Sequence, residues 1–341
     1  MRFAVIGMGK MGMLHAGIMN SIEALKLAAL ADTSRFLLNS VRSFKKNINV
    51  YEDYTKMLDV ENLDMVVITT PVFLHVPMAW ECAMRGIPFF LEKPLAPKST
   101  DALDLIKIVD DKNLITMVGY MMRYIDTFTK AKQIIDSGVL GNLISFKSTI
   151  YVAQLFKKGK GWRYLKEQAG GGVLISQATH LVDLLKWYFG SVIQVNCHIK
   201  NHYSQEVEDF AHLHFEFRNG LTGWMDSSWS IRHHRLLQVN IELHAENGDL
   251  FVCDDYVKLY LENAAAGYQG GWHNWLNPDL FKGVEIDIGG PHFSRQDLAF
   301  VNAIQNGKKV GTDLHNAYEV QKIVDAAYLS AENRGKPVFV E

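Results

Sequence analysis

Cysteine is scarce in this chain of 341 residues: Cys82, Cys197 and Cys253 are the whole supply, odd in number and far apart. With no C-x-x-C spacing among them, neither a disulfide framework nor a cysteine-based zinc site is expected, and they read as buried small hydrophobes. Net charge is scarce too. Against 37 Asp and Glu stand 35 Lys and Arg, leaving −2 at pH 7. That field is too weak to gather nucleic acid or an anionic membrane, and no basic cluster is interleaved with aromatics. No apolar run reaches the length of a membrane span, and no cleavable signal pattern precedes the first strand in "MRFAVIG". These absences point to a folded cytoplasmic protein without a nucleic-acid or membrane partner. The 48% apolar and 21% charged residues suit that reading, and the length suggests two domains.

What is present begins with glycine. In "VIGMGKMGMLHAG" the glycines at 7, 9 and 12 follow a strand-length apolar run, and helical spacing starts after Gly9. Gly7 can take the tight turn, Gly9 lets the backbone approach a pyrophosphate, and Gly12 lets the helix sit close on the sheet. Met8, Lys10 and Met11 lie in the same loop, whose N–H groups at the helix start suit phosphate charge. A second strand, "LKLAALAD", ends at Asp32, twenty residues after Gly12, where a carboxylate accepts hydrogen bonds from ribose hydroxyls. Thr33 and Arg35 follow it and complete the expected cofactor set at this edge. Asp32 repels a ribose 2′-phosphate, so NAD is preferred; Arg35 softens the preference and leaves NADP open.

The first domain continues in βα rhythm, with "DMVVITT" and "PFFLEKP" as buried strands and "HVPMAWECAMRG" as a helix, which implies a doubly wound parallel sheet. Loops at the carboxyl ends of its strands then carry Thr69, Thr70, Pro71 and His75, and Glu92, Lys93 and Pro94, where ligands bind in such sheets. Lys93 is either a solvated loop lysine or a cation near the nicotinamide, able to bond a substrate hydroxyl and position it for hydride transfer.

The glycine loop with His15, "TTP" with His75, "EKPLA" at 92–96 and "GGGVLISQATHLVDLLKW" at 170–187 together resemble the glucose-fructose oxidoreductase, inositol dehydrogenase and MocA family over nearly the whole chain. The resemblance implies an NAD(P)-binding Rossmann domain, here 1–123, and a substrate-binding and oligomerisation α/β domain with a large open, mostly antiparallel sheet, here 124–341. It further implies oxidation or reduction of a secondary alcohol on a sugar, nucleotide-linked sugar or cyclitol, and a homodimer or homotetramer formed through the outer sheet face.

In the second domain a helix is expected at about 125–137. "LISFKSTIYV" alternates so that Ile144, Phe146, Ser148 and Ile150 share a face, and Asn-Gly pairs at 219–220 and 247–248 mark hairpins. On the helix "SQATHLVDLLKWYFG", Ser176, His180 and Asp183 fall on roughly one face. Unplaced, His180 reads as a core histidine satisfied by Asp183. The resemblance makes it the general acid/base instead, with Asp183 orienting the ring and Lys93 lowering the cost of the developing alkoxide. Many family members carry aspartate where this chain has Ser176, which turns the expectation from inositol toward branches with a polar uncharged residue there, some acting on amino or nucleotide-linked sugars. By the same resemblance Arg123, Tyr124, Trp162 and Arg163 line the substrate side.

Trp272 and His292, in glycine-rich loops, are further candidates for the pocket. His212, His214, His233 and His234 lack companions at ligand spacing and read as strand histidines rather than a metal site. Two alternatives share the fold: a glycosidase that uses bound NAD for transient oxidation, and a non-catalytic nucleotide-binding regulator, which would be expected to lack the lysine and histidine found here.

Overall fold

A computed structural model describes residues 1–44 and 47–340. The chain divides into two compact units, 1–121 with 283–318 and 122–282 with 319–341.

The first unit holds six parallel strands, β1 (Arg2–Ile6), β2 (Lys26–Ala31), β3 (Asn49–Tyr51), β4 (Met65–Ile68), β5 (Phe89–Leu91) and β6 (Thr116–Val118). The helices α1 (Lys10–Ser21), α2 (Arg35–Phe44), α3 (Tyr54–Val60), α4 (His75–Met84) and α5 (Leu103–Asp111) alternate with them. The strand order is β3-β2-β1-β4-β5-β6. Every residue of β4, β5 and β6 is buried, as expected of parallel strands covered on both faces, which is why they read as unbroken apolar runs. Strand order reverses between the neighbours β1 and β4, the point where such sheets open a crevice at their carboxyl edge.

The second unit is built on nine strands: β7 (Leu143–Tyr151), β8 (Val192–Lys200), β9 (Phe210–Phe217), β10 (Thr222–Ser228), β11 (Gln238–Ala245), β12 (Gly248–Cys253), β13 (Tyr256–Leu261), β14 (Gly271–Leu276) and β15 (Val338–Phe339). With them come the helices α6 (Asp126–Asp136), α7 (Lys166–Ala169), α8 (Thr179–Phe189) and α9 (Asn277–Leu280). The order is β14-β13-β12-β11-β7-β10-β9-β8-β15, mixed because β7 and β10 run parallel. The Asn-Gly hairpin forms as its sequence dictates: Gly220 takes φ +84 and the Phe217 N–H donates to the Leu221 carbonyl at 2.9 Å. In β9 and β11 buried and half-buried residues alternate strictly, so one face is core and the other is open. Phe146 meets Phe189, Phe215 and Phe217 on the core side. Ile144 does not join them: it is 59% exposed, because the β7–β11 register slips between His244 and Ala245 and passes over it.

Residues 283–318 rejoin the first unit with α10 (Pro291–Asn306) and the first residues of α11 (Leu314–Glu332), whose later residues count with the second. The sequence reading places this stretch in a second domain, 124–341; in the folded chain it groups with the first unit. Among the described residues no helix is long and apolar enough to cross a membrane.

Candidate functional site

The opening loop is closed below and open above. Gly7 has φ +93, and a Cβ there would lie 2.8 Å from Thr70 Cγ2. At Gly12 a Cβ would lie 1.9 Å from the Gly7 carbonyl oxygen, so the start of α1 rests directly on the turn. Thr69 clamps the same carbonyl, donating its hydroxyl at 2.6 Å. Gly9 is the exception, since nothing stands within 4 Å of where its Cβ would be. It is also the N-cap of α1 and offers no side chain to the first-turn N–H groups. Open space, free backbone and the positive end of a twelve-residue helix fit a pyrophosphate. Lys10 is exposed, Met11 half-buried and Met8 buried beneath the loop.

Asp32, directly after β2, accepts the Met8 N–H at 2.6 Å on one oxygen and the Ser34 N–H at 2.7 Å on the other. Each oxygen keeps a lone pair for a hydroxyl, and the fixed carboxylate fits a ribose better than a phosphate. Thr33 is exposed, and Arg35 pairs with Glu52 at 3.1 Å.

At the ends of β4 and β5, His75 joins two loops. Its ring nitrogens lie 2.7 Å from the Pro94 carbonyl and 2.9 Å from the Thr70 carbonyl. Burial, the largest influence, lowers its pKa, while the two carbonyls pull the other way. The Thr69–Pro71 segment and the Glu92–Pro94 turn are thus tied together. Lys93 is half-buried, its N–H donates to Glu92 Oε2 at 3.2 Å, and the Lys93–Pro94 peptide is cis.

His15 lies outside the residues assigned to the site by sequence. Its ring is fully buried on α1, with Nδ1 2.8 and 3.0 Å from the two Asp297 oxygens and Nε2 3.1 Å from Glu92 Oε1. Burial opposes its charge, but Asp297 first and Glu92 second more than reverse that and raise its pKa to about 10. Only a protonated ring donates to both carboxylates. Gly119 makes room for this arrangement, since a Cβ there would lie 3.0 Å from Glu92 Oε1.

In the second unit the last two glycines of the triplet are packed solid. A Cβ on Gly171 would lie 2.0 Å from the Tyr328 hydroxyl oxygen, and one on Gly172 1.9 Å from the Glu208 carbonyl oxygen. The buried Glu208 carboxylate accepts the Gly172 and Leu174 N–H groups at 2.9 Å and the Tyr328 hydroxyl at 2.8 Å. Burial raises the Glu208 pKa against these donors. The helix it caps starts earlier than Ser176 and opens with a π turn, Leu174–Ala178, before α8. Ser176, which lies inside that wider turn, is half-buried; His180 and Asp183 follow it, both buried. Gln177 anchors the π turn to β7, donating to the Ile150 carbonyl at 3.2 Å.

Two residues expected to serve different partners pair with each other. Arg123 donates from Nε and Nη2 to the two Asp183 oxygens at 2.7 and 2.5 Å, with side-chain exposures of 9% and 0%, and its guanidinium lies 5.4 Å from the centre of the Trp187 ring. Tyr124 is half-buried beside it in the chain, and Arg163 stacks over Trp162 at 4.6 Å. Trp272 lies on the sheet against Tyr260 and Phe251. His292 lies against Phe293, with ring centroids 4.5 Å apart and planes tilted by 42°, and its burial lowers its pKa to about 4. His212 pairs with Asp226 and His234 bonds Gln238 at 2.8 Å.

The comparisons with known proteins agree with this architecture. Residues 1–120 match an oxidoreductase family with an NAD-binding Rossmann fold, and 128–251 match the C-terminal domain of the same GFO/IDH/MocA group. A levoglucosan dehydrogenase of Pseudarthrobacter phenanthrenivorans is 25% identical over 320 residues, 83% of this chain and 82% of its own. The scyllo-inositol 2-dehydrogenase (NAD(+)) of Bacillus subtilis is 26% identical over 261 residues, 74% of this chain and 73% of its own. Among solved structures, a levoglucosan dehydrogenase in complex with NADH and levoglucosan matches in fold with a TM-score of 0.88, covering 100% of this chain and 99% of that one at 24% identity. Sheet order, glycine loop and both matched segments lead to one assignment: the chain belongs to the GFO/IDH/MocA family of oxidoreductases and carries its NAD-binding Rossmann domain.

Proposed function

We propose that this protein is an NAD-dependent dehydrogenase or reductase acting on a secondary alcohol or ketone of a small polyhydroxylated molecule: a sugar, a nucleotide-linked sugar or a cyclitol. The observation that carries the proposal is the carboxyl edge of the parallel sheet. There the open Gly9 turn, the Asp32 carboxylate and Lys93 follow β1, β2 and β5 of one sheet. The activities of the levoglucosan and scyllo-inositol dehydrogenases support the substrate class. Residues 1–121 with 283–318 serve the cofactor, and the other unit serves the substrate and subunit contacts.

NAD bound at the Gly7–Gly12 loop supplies the hydride acceptor. The backbone of Met8 to Gly12 holds the pyrophosphate, and Asp32 with Thr33 holds the adenosine ribose; Asp32 disfavours a 2′-phosphate, so NADP is the poorer ligand. Thr69, Thr70, Pro71, His75 and Glu92 complete the cofactor side. Lys93 donates a hydrogen bond to the reacting oxygen and offsets its negative charge as the C–H bond gives up its electron pair. His180 takes the hydroxyl proton in oxidation and returns it in reduction. Asp183, bidentate with Arg123, steadies the helix that carries His180. Tyr124, Trp162, Arg163 and Ser176 supply rings, charge and a hydroxyl toward substrate hydroxyls.

The open face of the nine-stranded sheet, with Trp224 48% and Trp272 59% exposed, suits a second copy of the chain, as a homodimer or homotetramer. Three buried thiols suit a reducing compartment, the cytoplasm.

The test follows NADH absorbance with NAD and a panel of cyclitols, aldoses and nucleotide-linked sugars, beside the Lys93→Met variant. Turnover on one group, lost in the variant, supports the proposal and names the group. Silence across the panel in a protein that binds NADH overturns it.

A further inference from the structure

Four groups form a buried line through the first unit. Asp297 on α10 meets His15 Nδ1, His15 Nε2 meets Glu92 Oε1, and Glu92 Oε2 accepts the Lys93 N–H. The solvent-accessible fractions are 0% for His15 and Asp297 and 8% for Glu92, so water screens none of these charges well. The Phe90 and Phe293 rings lie 4.8 and 6.2 Å from the imidazole, and the buried Gln296 side chain interacts with Asp297. Beyond Glu92 the charged or titratable groups coupled to the line are Lys93 and His75. A cationic ring donates to both flanking carboxylates, whereas a neutral ring donates to only one and turns a lone pair toward the other, which must then carry a proton itself.

We propose that His15 is a positioning residue: a buried imidazolium, braced by Asp297, that holds the Glu92 side chain in place and thereby fixes the backbone from which Lys93 projects. The return of residues 283–318 to the nucleotide unit then has a purpose, because it delivers Asp297. Without the cation, Asp297 and Glu92 become two like charges sharing a buried site. Their mutual repulsion favours protonation of one of the two carboxyls, and the hold on the Lys93 turn becomes dependent on pH.

The kinetic arm of the test rests on the dehydrogenase reading; the spectroscopic arm does not. In protein labelled with 15N at histidine, both His15 ring nitrogens are expected to carry protons at about pH 8.5, where an ordinary imidazole is neutral. A neutral His15 ring at that pH overturns the proposal whatever the enzyme's substrate. In His15→Gln, NADH affinity measured by fluorescence is expected to stay within about threefold, while kcat falls about tenfold to a hundredfold. Its pH profile is expected to gain an inflection that the parent lacks. A variant that loses stability but keeps the parent's kcat and pH profile shows His15 to be structural only, and overturns the proposal. Should His15→Gln fail to fold, Asp297→Asn serves: the His15 ring is then expected to lose its second proton at a lower pH than in the parent, and an unchanged titration refutes the bracing role.

Discussion

At Gly9, in the turn between β1 and α1, a Cβ would meet nothing within 4 Å, whereas at Gly172, ahead of α8, it would lie 1.9 Å from the Glu208 carbonyl oxygen. Both glycines belong to clusters that a motif search treats alike, yet they are glycine for opposite reasons. Gly9 leaves open space over bare backbone, which the proposed function fills with the cofactor's phosphates. Gly172 lets two stretches of this chain's own backbone touch. Gly12, with its Cβ position 1.9 Å from the Gly7 carbonyl, belongs with Gly172 although it sits three residues from Gly9. A glycine motif therefore mixes positions that answer to ligand binding with positions that answer to folding, and alanine substitution separates them.

The largest effect is expected at the filled positions. Gly172→Ala and Gly12→Ala each force a carbon into a backbone oxygen, so thermal or denaturant unfolding should show a loss of about 3 kcal/mol or more. Parental stability in Gly172→Ala would mean that the Glu208 backbone yields easily and that the triplet is not packed as tightly as Gly12.

A second effect comes from the buried side of α1, three residues beyond Gly12. His15 has its folded pKa raised from 6.5 to about 10, so the stability it contributes is fully present below pH 6.5 and is lost as pH rises toward 10. His292, lowered to about 4, works in the other window: its contribution is present above 6.5 and is lost as pH falls. Denaturant unfolding across these ranges is expected to show declining stability on the alkaline side in the parent and a flatter alkaline limb in His15→Gln. Equal slopes would remove His15 as the origin.

At the open position the effect moves from folding to binding. Gly9→Ala should unfold like the parent yet bind NADH about tenfold more weakly, or roughly 1.4 kcal/mol, because the added methyl occupies the approach to the phosphates. Unchanged affinity would break the comparison at its root.

Much of this division could be read from sequence where the signal is local. The β1 turn, the buried runs of β4 and β5 and the Asn-Gly hairpin at 219–220 each arise from neighbouring residues, and each formed as expected. What escaped depends on distance or on register. His15 and Asp297 stand 282 positions apart, and nothing in "GMLHAG" announces a partner on α10. The π turn at Leu174–Ala178 is a change of hydrogen-bond step, which residue type does not encode, so the one-face reading of Ser176, His180 and Asp183 assumed a regular helix. The resemblance placed Arg123 at the substrate and Asp183 at His180; their mutual ion pair needed the fold. Glu208 went unnoticed because a single glutamate before a strand looks solvated until the glycines are packed on it.

The smallest effect is expected at the outer rim of the open loop. Arg35 and Glu52 pair at 3.1 Å with side chains 79% and 51% exposed, so water screens their attraction and Glu52→Gln should change stability by less than about 0.5 kcal/mol. The substitution nevertheless releases the Arg35 guanidinium, two residues past the Thr33 that follows Asp32. Asp32 itself stays held by the Met8 and Ser34 N–H groups and, on the proposed function, continues to repel a ribose 2′-phosphate. NADPH affinity should therefore rise only about two- to threefold, about 0.5 kcal/mol, with NADH affinity unchanged. A much larger gain would mean that Glu52, rather than Asp32, is the residue that keeps the second phosphate out.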